Sequence, residues 1–451
     1  MNVPTVPGAL PLIGHGAHLW FRPTAFMAAM NELGPLVRFR PGPTASYLVT
    51  DPALLHQVLV TGARHVAKGR LTDSAGPQIG VSLVMDMSFE GMTLFASHRR
   101  HRRAVQPAFH PHRLAAQTDA VVRATRERLA RWWPGRRLRL ERELLSLSNE
   151  VNARAFCGGS AGAVSKALAG VQAHLNSGLY WRSVAPRWTD ALPVPGTGGF
   201  RRERDRLRTA LRAALRERRT DPGRDDGDVL SALARARYAD DGSDLGDEQI
   251  CREMVFYLIA AAHGIGDVLP WVFHELAAHP GAERRLHQEL DTVLAGQAVA
   301  PEHLSQLEYT RRTLLETLRL YPPVWLLARR TVDAVDLGGS LLPAGTELVF
   351  STYALHRHPR HHAAPLRFDP DRWLPGRRAG LPPCAYVPFG AGPRKCIGDR
   401  LSMYQMLTVV ATIASHWRLR PVPGVRAYPR ARIFLSPRSV EMVCEPRLTG
   451  R

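Results

Sequence analysis

The stretch Phe389–Gly398 reads F-G-A-G-P-R-K-C-I-G, and the rest of the chain is understood outward from it. Its single cysteine, Cys396, sits in a glycine-rich loop just before the apolar run Ser402–His416, which has the pattern of a helix. Gly390, Gly392 and Gly398 let the backbone bend sharply and approach a flat partner closely. Arg394 and Lys395, together with a helix N-terminus near Asp399, are expected to favour the thiolate of Cys396, the form that ligates metal. The loop is therefore expected to hold a soft anionic sulfur against a flat metal-bearing group, with Arg394 placed for a carboxylate. A buried free cysteine behind a turn is the competing account.

The chain has 451 residues, 45% hydrophobic and 22% charged, which gives it a large core and excludes a disordered or fibrous protein. Lys+Arg number 60 against 40 Asp+Glu, a formal net charge of +20, and only Lys68, Lys166 and Lys395 are lysine. Such an arginine excess reads as GC-rich codon usage or as a basic face for an acidic partner. No basic stripe interleaved with aromatics and no zinc-finger spacing appears, so nucleic acid is not an expected partner. Five dispersed cysteines point to a reducing cytoplasm without disulfides. The N-terminal stretch lacks the pattern of a signal peptide or membrane anchor. Met254–Phe273 is long enough to cross a bilayer but carries His263, Asp267 and Pro270. A mid-bilayer Asp costs roughly 2.5–3.5 kcal/mol, so a buried helix of a cytoplasmic protein is expected.

The periodicities predict a mainly α protein with a minor β portion, folded as one domain over 1–451. Strands are expected at Leu36–Arg40, Ser46–Thr50 and within Thr331–Phe350, with β-rich portions at about 1–60, 331–360 and the C-terminal tail. Helices are expected at Asp119–Trp133, Phe200–Thr220, Glu248–Ala278, Ala282–Leu294, Leu304–Tyr321 and Ser402–His416.

The decapeptide matches F-x-x-G-x-R-x-C-x-G at each fixed position, and here the chain resembles the cytochrome P450 family along nearly its whole length. The resemblance implies the P450 fold, with haem b between the family's helix I and the cysteine loop. It implies Cys396 as axial thiolate, Phe389 shielding the sulfur, Gly390 and Gly398 shaping the loop, and Arg394 pairing with a propionate. Haem-thiolate iron pushes electron density toward bound dioxygen. E-T-L-R followed by Tyr321–Pro322–Pro323 resembles the family's E-x-x-R helix. Glu316 and Arg319 would then form a structural triad with Arg372 of F-D-P-D-R-W. His98 and Arg102, in H-R-R-H-R, resemble the helix C pair that donates to a propionate, and Arg330 in A-R-R-T-V-D matches a further propionate arginine. Arg99, Arg100 and Arg103 are read as solvated, or as part of a basic proximal face for an acidic ferredoxin.

The family's oxygen-binding motif A-G-x-[D/E]-T-T falls on Ala260–Ile265, A-A-A-H-G-I, so His263 replaces the acid and Gly264 the alcohol that relay protons in typical members. Ala260, His263 and Gly264 are the distal catalytic candidates. Either His263 is itself a relay, or a substrate hydroxyl or water fills the space at Gly264, or the chemistry is unusual. A satisfied His263 turned away from the iron is the plain alternative. The pocket positions implied by the resemblance are mostly apolar: Val84, Met85, Met87, Ala261, Val324, Trp325, Leu326, Ile433 and Phe434. They suit a small hydrocarbon-rich substrate. The N-terminal P-T-V-P-G-A-L-P-L-I-G-H-G and V-Q-P-A-F-H are similar to actinobacterial terpene-oxidising members, which ranks a terpenoid first and a polyketide or fatty acyl substrate second.

The expected function is thus a monomeric monooxygenase of secondary metabolism, with electrons from NAD(P)H through ferredoxin and ferredoxin reductase. A peroxide-driven or redox-neutral haem enzyme is a second reading, although the Arg-Pro pair usual in peroxygenases is not reproduced at His263–Gly264. A non-catalytic haem- or nucleic-acid-binding protein is a third.

Overall fold

The computed structural model describes residues 3–69, 89–110, 113, 117–175, 197–221 and 225–447. Among them are eleven α-helices of nine residues or more: α1 (Pro23–Asn31), α2 (Leu94–Val105), α3 (Thr118–Leu129), α4 (Leu140–Cys157), α5 (Ala161–His174), α6 (Thr197–Thr220), α7 (Asp247–Gly266), α8 (Leu269–Ala278), α9 (Pro280–Leu294), α10 (Glu308–Leu320) and α11 (Asp399–His416). Strands β1 (Leu36–Phe39), β2 (Ser46–Val49) and β3 (Val66–Lys68) come early and β4 (Arg137–Arg139) interrupts the helical middle. After α10 come β5 (Leu327–Thr331), β6 (Val335–Leu337), β7 (Ser340–Leu342) and β8 (Glu347–Phe350). The tail adds β9 (Trp417–Pro421), β10 (Tyr428–Ala431), β11 (Leu435–Arg438) and β12 (Glu441–Pro446).

The main sheet has the order β1-β2-β8-β5-β3, mixed because β2 and β8 run parallel while the other pairs are antiparallel. β3, β4 and all of β5 but Thr331 lie outside the portions in which strands were expected; β3 and β4 have three residues each, too few alternations to read.

The expected single helix over Glu248–Ala278 is two helices. Pro270 stands in the first turn of α8, where its missing N–H breaks no helical bond, and Asp267–Val268 form the joint. The two together are long and apolar enough to span a bilayer, but most of that surface is buried inside the protein. α7 is apolar on several faces, with Met254, Val255, Leu258, Ile259 and Ala262 all buried, as a central helix must be. It packs against α4 so closely that a Cβ on Gly266 would meet the Leu145 Cα at 2.9 Å. Ser148 of α4 donates its hydroxyl to the Ala262 carbonyl at 2.9 Å. α10 ends at Tyr321 because Pro322 and Pro323 cannot continue it.

Candidate active site

The segment Tyr386–Gly398 reaches the centre of the molecule because a buried ion network holds the chain ahead of it. Glu316 and Arg319, three apart on one face of α10, are both fully buried. Arg319 donates Nε to Glu316 Oε2 at 2.9 Å and Nη2 to Oε1 at 2.8 Å. Arg372 Nε reaches Oε1 at 3.3 Å, Trp373 Nε1 reaches Oε2 at 3.0 Å, and the Asp369 amide reaches Oε1 at 3.0 Å. The remaining Arg319 donors fasten the carbonyls of His356, Pro365 and Arg367. The structure therefore brings together all three members of the expected triad. Next along, the Val387 amide donates to His356 Nε2 at 2.9 Å, and burial keeps that imidazole neutral.

The cysteine loop then closes on itself, the Cys396 amide donating to the Phe389 carbonyl at 2.8 Å. Gly392 has φ +68, and a Cβ there would lie 1.9 Å from the Leu59 carbonyl oxygen, so no other residue type fits. Cys396 faces a deep cavity of about 1440 Å³, its mouth included. Burial raises the Cys396 thiol pKa, and the Gly398 amide pulls the other way. Asp399 adds to the rise, while Arg102 and Lys395 lower it more weakly. This corrects the expectation that the surroundings by themselves favour thiolate: Lys395 is paired with Asp399, which spends its charge.

The cavity wall is electrically one-sided. Lys68, Arg102, Arg329, Arg394 and Lys395 line it, with His98 and His101, and no Asp or Glu stands among its described lining residues. Lys68 and Arg329 are direct cross-strand partners on β3 and β5. Their pairing concentrates positive charge on this part of the wall. Arg394 Nη1 also holds the Ala63 carbonyl at 2.9 Å, Arg102 holds that of Lys395, and His98 Nε2 lies 3.3 Å from the Pro393 carbonyl. A flat dianionic porphyrin that takes a soft sulfur ligand would fit this donor set, since several cations, a cysteine and the glycines at 264, 390 and 398 line the same cavity. Gly264 adds to the fit, since a Cβ built there meets nothing within 4 Å.

The expected propionate arginine is corrected by one position. Arg330 turns away from the cavity toward Glu347, 3.8 Å off, and its neighbour Arg329 faces the cavity. Consecutive residues of a strand point to opposite faces, so a one-residue choice inverts the assignment. Lys68, Arg329 and His101 were missed as lining residues. For Lys68 a signal existed, since two of the chain's three lysines line this cavity.

The distal wall holds Ala260, Ala261, Gly264, Val324, Leu327 and Phe434. Trp325 is not on it: it is buried in the sheet-side core, with Nε1 donating to the Arg432 carbonyl at 2.8 Å. Leu326 and Ile433 likewise pack into core clusters and not onto the cavity. Val84, Met85 and Met87 lie outside the described residues. His263 is buried and does not line the cavity. Its Nδ1 is 2.8 Å from Asp267 Oδ2, and its ring stacks on Phe434. On α2, Arg99 and Arg103 are exposed, but Arg100 is bound to Asp240 and Asp241 at 2.6 Å each and covers Tyr238, so it adds no free charge to a basic face.

Comparison with known proteins agrees with this geometry. The family model described as Cytochrome P450 matches residues 172–443. The chain is 41% identical to cyclooctat-9-en-7-ol 5-monooxygenase of Streptomyces melanosporofaciens, over 98% of this chain and 95% of that protein. It is 34% identical to pentalenene oxygenase of Streptomyces avermitilis, over 99% and 97%. The crystal structure of the cytochrome P450DA heme domain superposes with a TM-score of 0.85 at 21% identity, covering 99% of this chain and 98% of that one. With the cysteine loop, the triad and the cationic rim in place on this fold, the chain belongs to the cytochrome P450 family of haem-thiolate monooxygenases.

Proposed function

We propose that the protein is a terpenoid monooxygenase that inserts one oxygen atom into a polycyclic, largely apolar skeleton. Substrate C–H, O2, two electrons and two protons give the alcohol and water. Ferredoxin and ferredoxin reductase would pass the electrons from NAD(P)H, in the cytoplasm. The reading is carried by full-length similarity to proteins named for terpenoid oxidation, at 34–41% identity. The uncharged distal wall of Ala260, Ala261, Gly264, Val324, Leu327 and Phe434 supports it.

Bound haem would supply oxygen activation, and this chain's residues set its place. Cys396 would be the axial ligand, with Phe389 beside the sulfur. His98, Arg102, Arg394 and the Lys68–Arg329 pair would hold the propionates. Ala260, Ala261 and Gly264 would leave room for haem and substrate along the α7 side of the cavity. The experiment is turnover of cyclooctat-9-en-7-ol and of pentalenene by the reconstituted enzyme, ferredoxin, reductase and NADPH under 18O2. A product carrying one 18O atom is expected. Oxidation of neither compound, or turnover with hydrogen peroxide alone, would count against the reading.

Gly264 decides a finer point. One relative is named for acting on an alcohol. In this chain the space at Gly264 faces the cavity, and among the described residues no side chain, and no backbone beyond its own helix turn, lies within 4 Å of a Cβ placed there. A substrate hydroxyl or an ordered water in that space would pass the protons that the missing acid and alcohol pass elsewhere. Gly264→Thr should fold and load haem normally, since a glycine in a helix is about 1 kcal/mol worse than alanine and no protein atom is displaced. Affinity for cyclooctat-9-en-7-ol should fall by about 1–3 kcal/mol, because the added atoms crowd the ligand. A variant that turns over faster and releases less hydrogen peroxide would show that the space has no such role.

A further inference from the structure

His263 occupies the position of the family's relay acid, yet it does not line the cavity, and its contacts lead elsewhere. On α7 it lies four residues before Asp267, so both side chains share one helical face. Phe434 stands in the bend just before β11, and Ser436 is the second residue of that strand. The two segments meet. His263 Nδ1 is 2.8 Å from Asp267 Oδ2, and with a carboxylate opposite, that nitrogen carries the proton and donates. The same oxygen accepts the Ser436 hydroxyl at 3.0 Å. The His263 ring lies nearly parallel to Phe434, with centroids 4.4 Å apart at 13°. His263 and Asp267 are both buried, at 3% and 4% exposure. The other imidazole nitrogen, Nε2, has no hydrogen-bond partner among the described residues, so no direct protein bond leads from it toward the cavity there.

We infer that His263 is a positioning residue and that, with Asp267 and Ser436, it clamps the Phe434 ring as a fixed wall of the substrate cavity. The hairpin of β10 and β11 is tied at its tip, where the Leu435 amide donates to the Pro323 carbonyl and Trp325 Nε1 to that of Arg432. These bonds hold the backbone of the tip but leave the Phe434 side chain free to rotate. The imidazole face removes that freedom, and the Asp267 carboxylate stops the imidazole itself from turning. Phe434 borders the cavity together with Ala260, Ala261 and Gly264, so its rotamer sets the width of the cavity next to the reacting face. His263 would act on substrate choice through Phe434, without touching the substrate. The inference rests on the haem site and not on the terpenoid reading, and its test uses no terpenoid.

The test titrates the haem-loaded full-length protein with imidazole and with 4-phenylimidazole, which bind haem iron through nitrogen and differ in bulk, and reads each dissociation constant from the Soret shift. His263→Ala and Asp267→Asn should each favour 4-phenylimidazole over imidazole by about fivefold relative to wild type, through a coupling of the size expected for touching residues. Phe434→Ala should do the same. The His263→Ala/Phe434→Ala double variant should shift the ratio no further than Phe434→Ala does, because His263 acts only through that ring. Asp267→Asn keeps the volume of the site and guards against a folding failure of the alanine variant. An unchanged ratio in haem-loaded His263→Ala and Asp267→Asn would overturn the clamp. So would additive shifts in the double variant. An unchanged ratio with a rise in hydrogen peroxide release would make His263 a proton relay and would equally overturn it.

Discussion

Cys396→Ser is expected to abolish the ferrous–carbon monoxide band from which the family takes its name, and with it all monooxygenase activity. A serine hydroxyl is not ionised near neutral pH and cannot replace a thiolate as a soft axial ligand. None of the chain's four other cysteines can substitute. Cys157, Cys251 and Cys444 are buried in the core, and burial pushes the Cys251 thiol up to about 11 and that of Cys444 to about 12. Cys384 is half-buried, its thiol also raised by burial, and it does not line the cavity. The loop should survive the change, since its closing bond from the Cys396 amide to Phe389 is a backbone bond. A variant that keeps the thiolate band would remove Cys396 from the role.

Glu316→Ala should yield little folded, haem-loaded protein. Both oxygens of Glu316 are taken up by Arg319, Arg372, Trp373 and the Asp369 amide, and removing the carboxylate leaves the fully buried Arg319 guanidinium uncompensated. Breaking a buried pair in this way costs about 3–5 kcal/mol, out of a total stability of typically 5–15 kcal/mol. Arg372→Ala should cost less. Its side chain lies at the edge of the network, and Glu316 keeps both bonds to Arg319 without it. The ranking separates the network from a simple count of ion pairs, in which either loss would weigh the same. Haem content and thermal midpoint measure it. A Glu316→Ala protein with normal haem content and an unshifted midpoint would refute the structural role.

The cysteine loop and the E-x-x-R helix were legible because their geometry is local. Glu316 and Arg319 share a face whatever surrounds the helix. Glycine at 392 marks a backbone that no side chain could follow, even before the Leu59 carbonyl that excludes a Cβ is known. The mainly helical class was legible for the same reason, since long amphipathic and apolar runs carry their own period. The break between α7 and α8 was only half visible: Pro270 stands in the sequence, but proline is tolerated both in the first turn of a new helix and at a kink in an old one.

What the sequence by itself determined is therefore the cysteine loop, the Glu316–Arg319 pair and the helical class, because each rests on spacing within a single segment, whereas Arg372 joins that pair from a segment more than fifty residues on. Only the tertiary structure decided that Arg329 and not Arg330 faces the cavity, that Lys68 stands opposite it, that Trp325 belongs to the core, and that His263 turns to Phe434. The physical reason is common to all four. Strand register and helix rotation are set by contacts between segments remote along the chain, and one residue of register or a third of a helical turn moves a side chain from the cavity to the core.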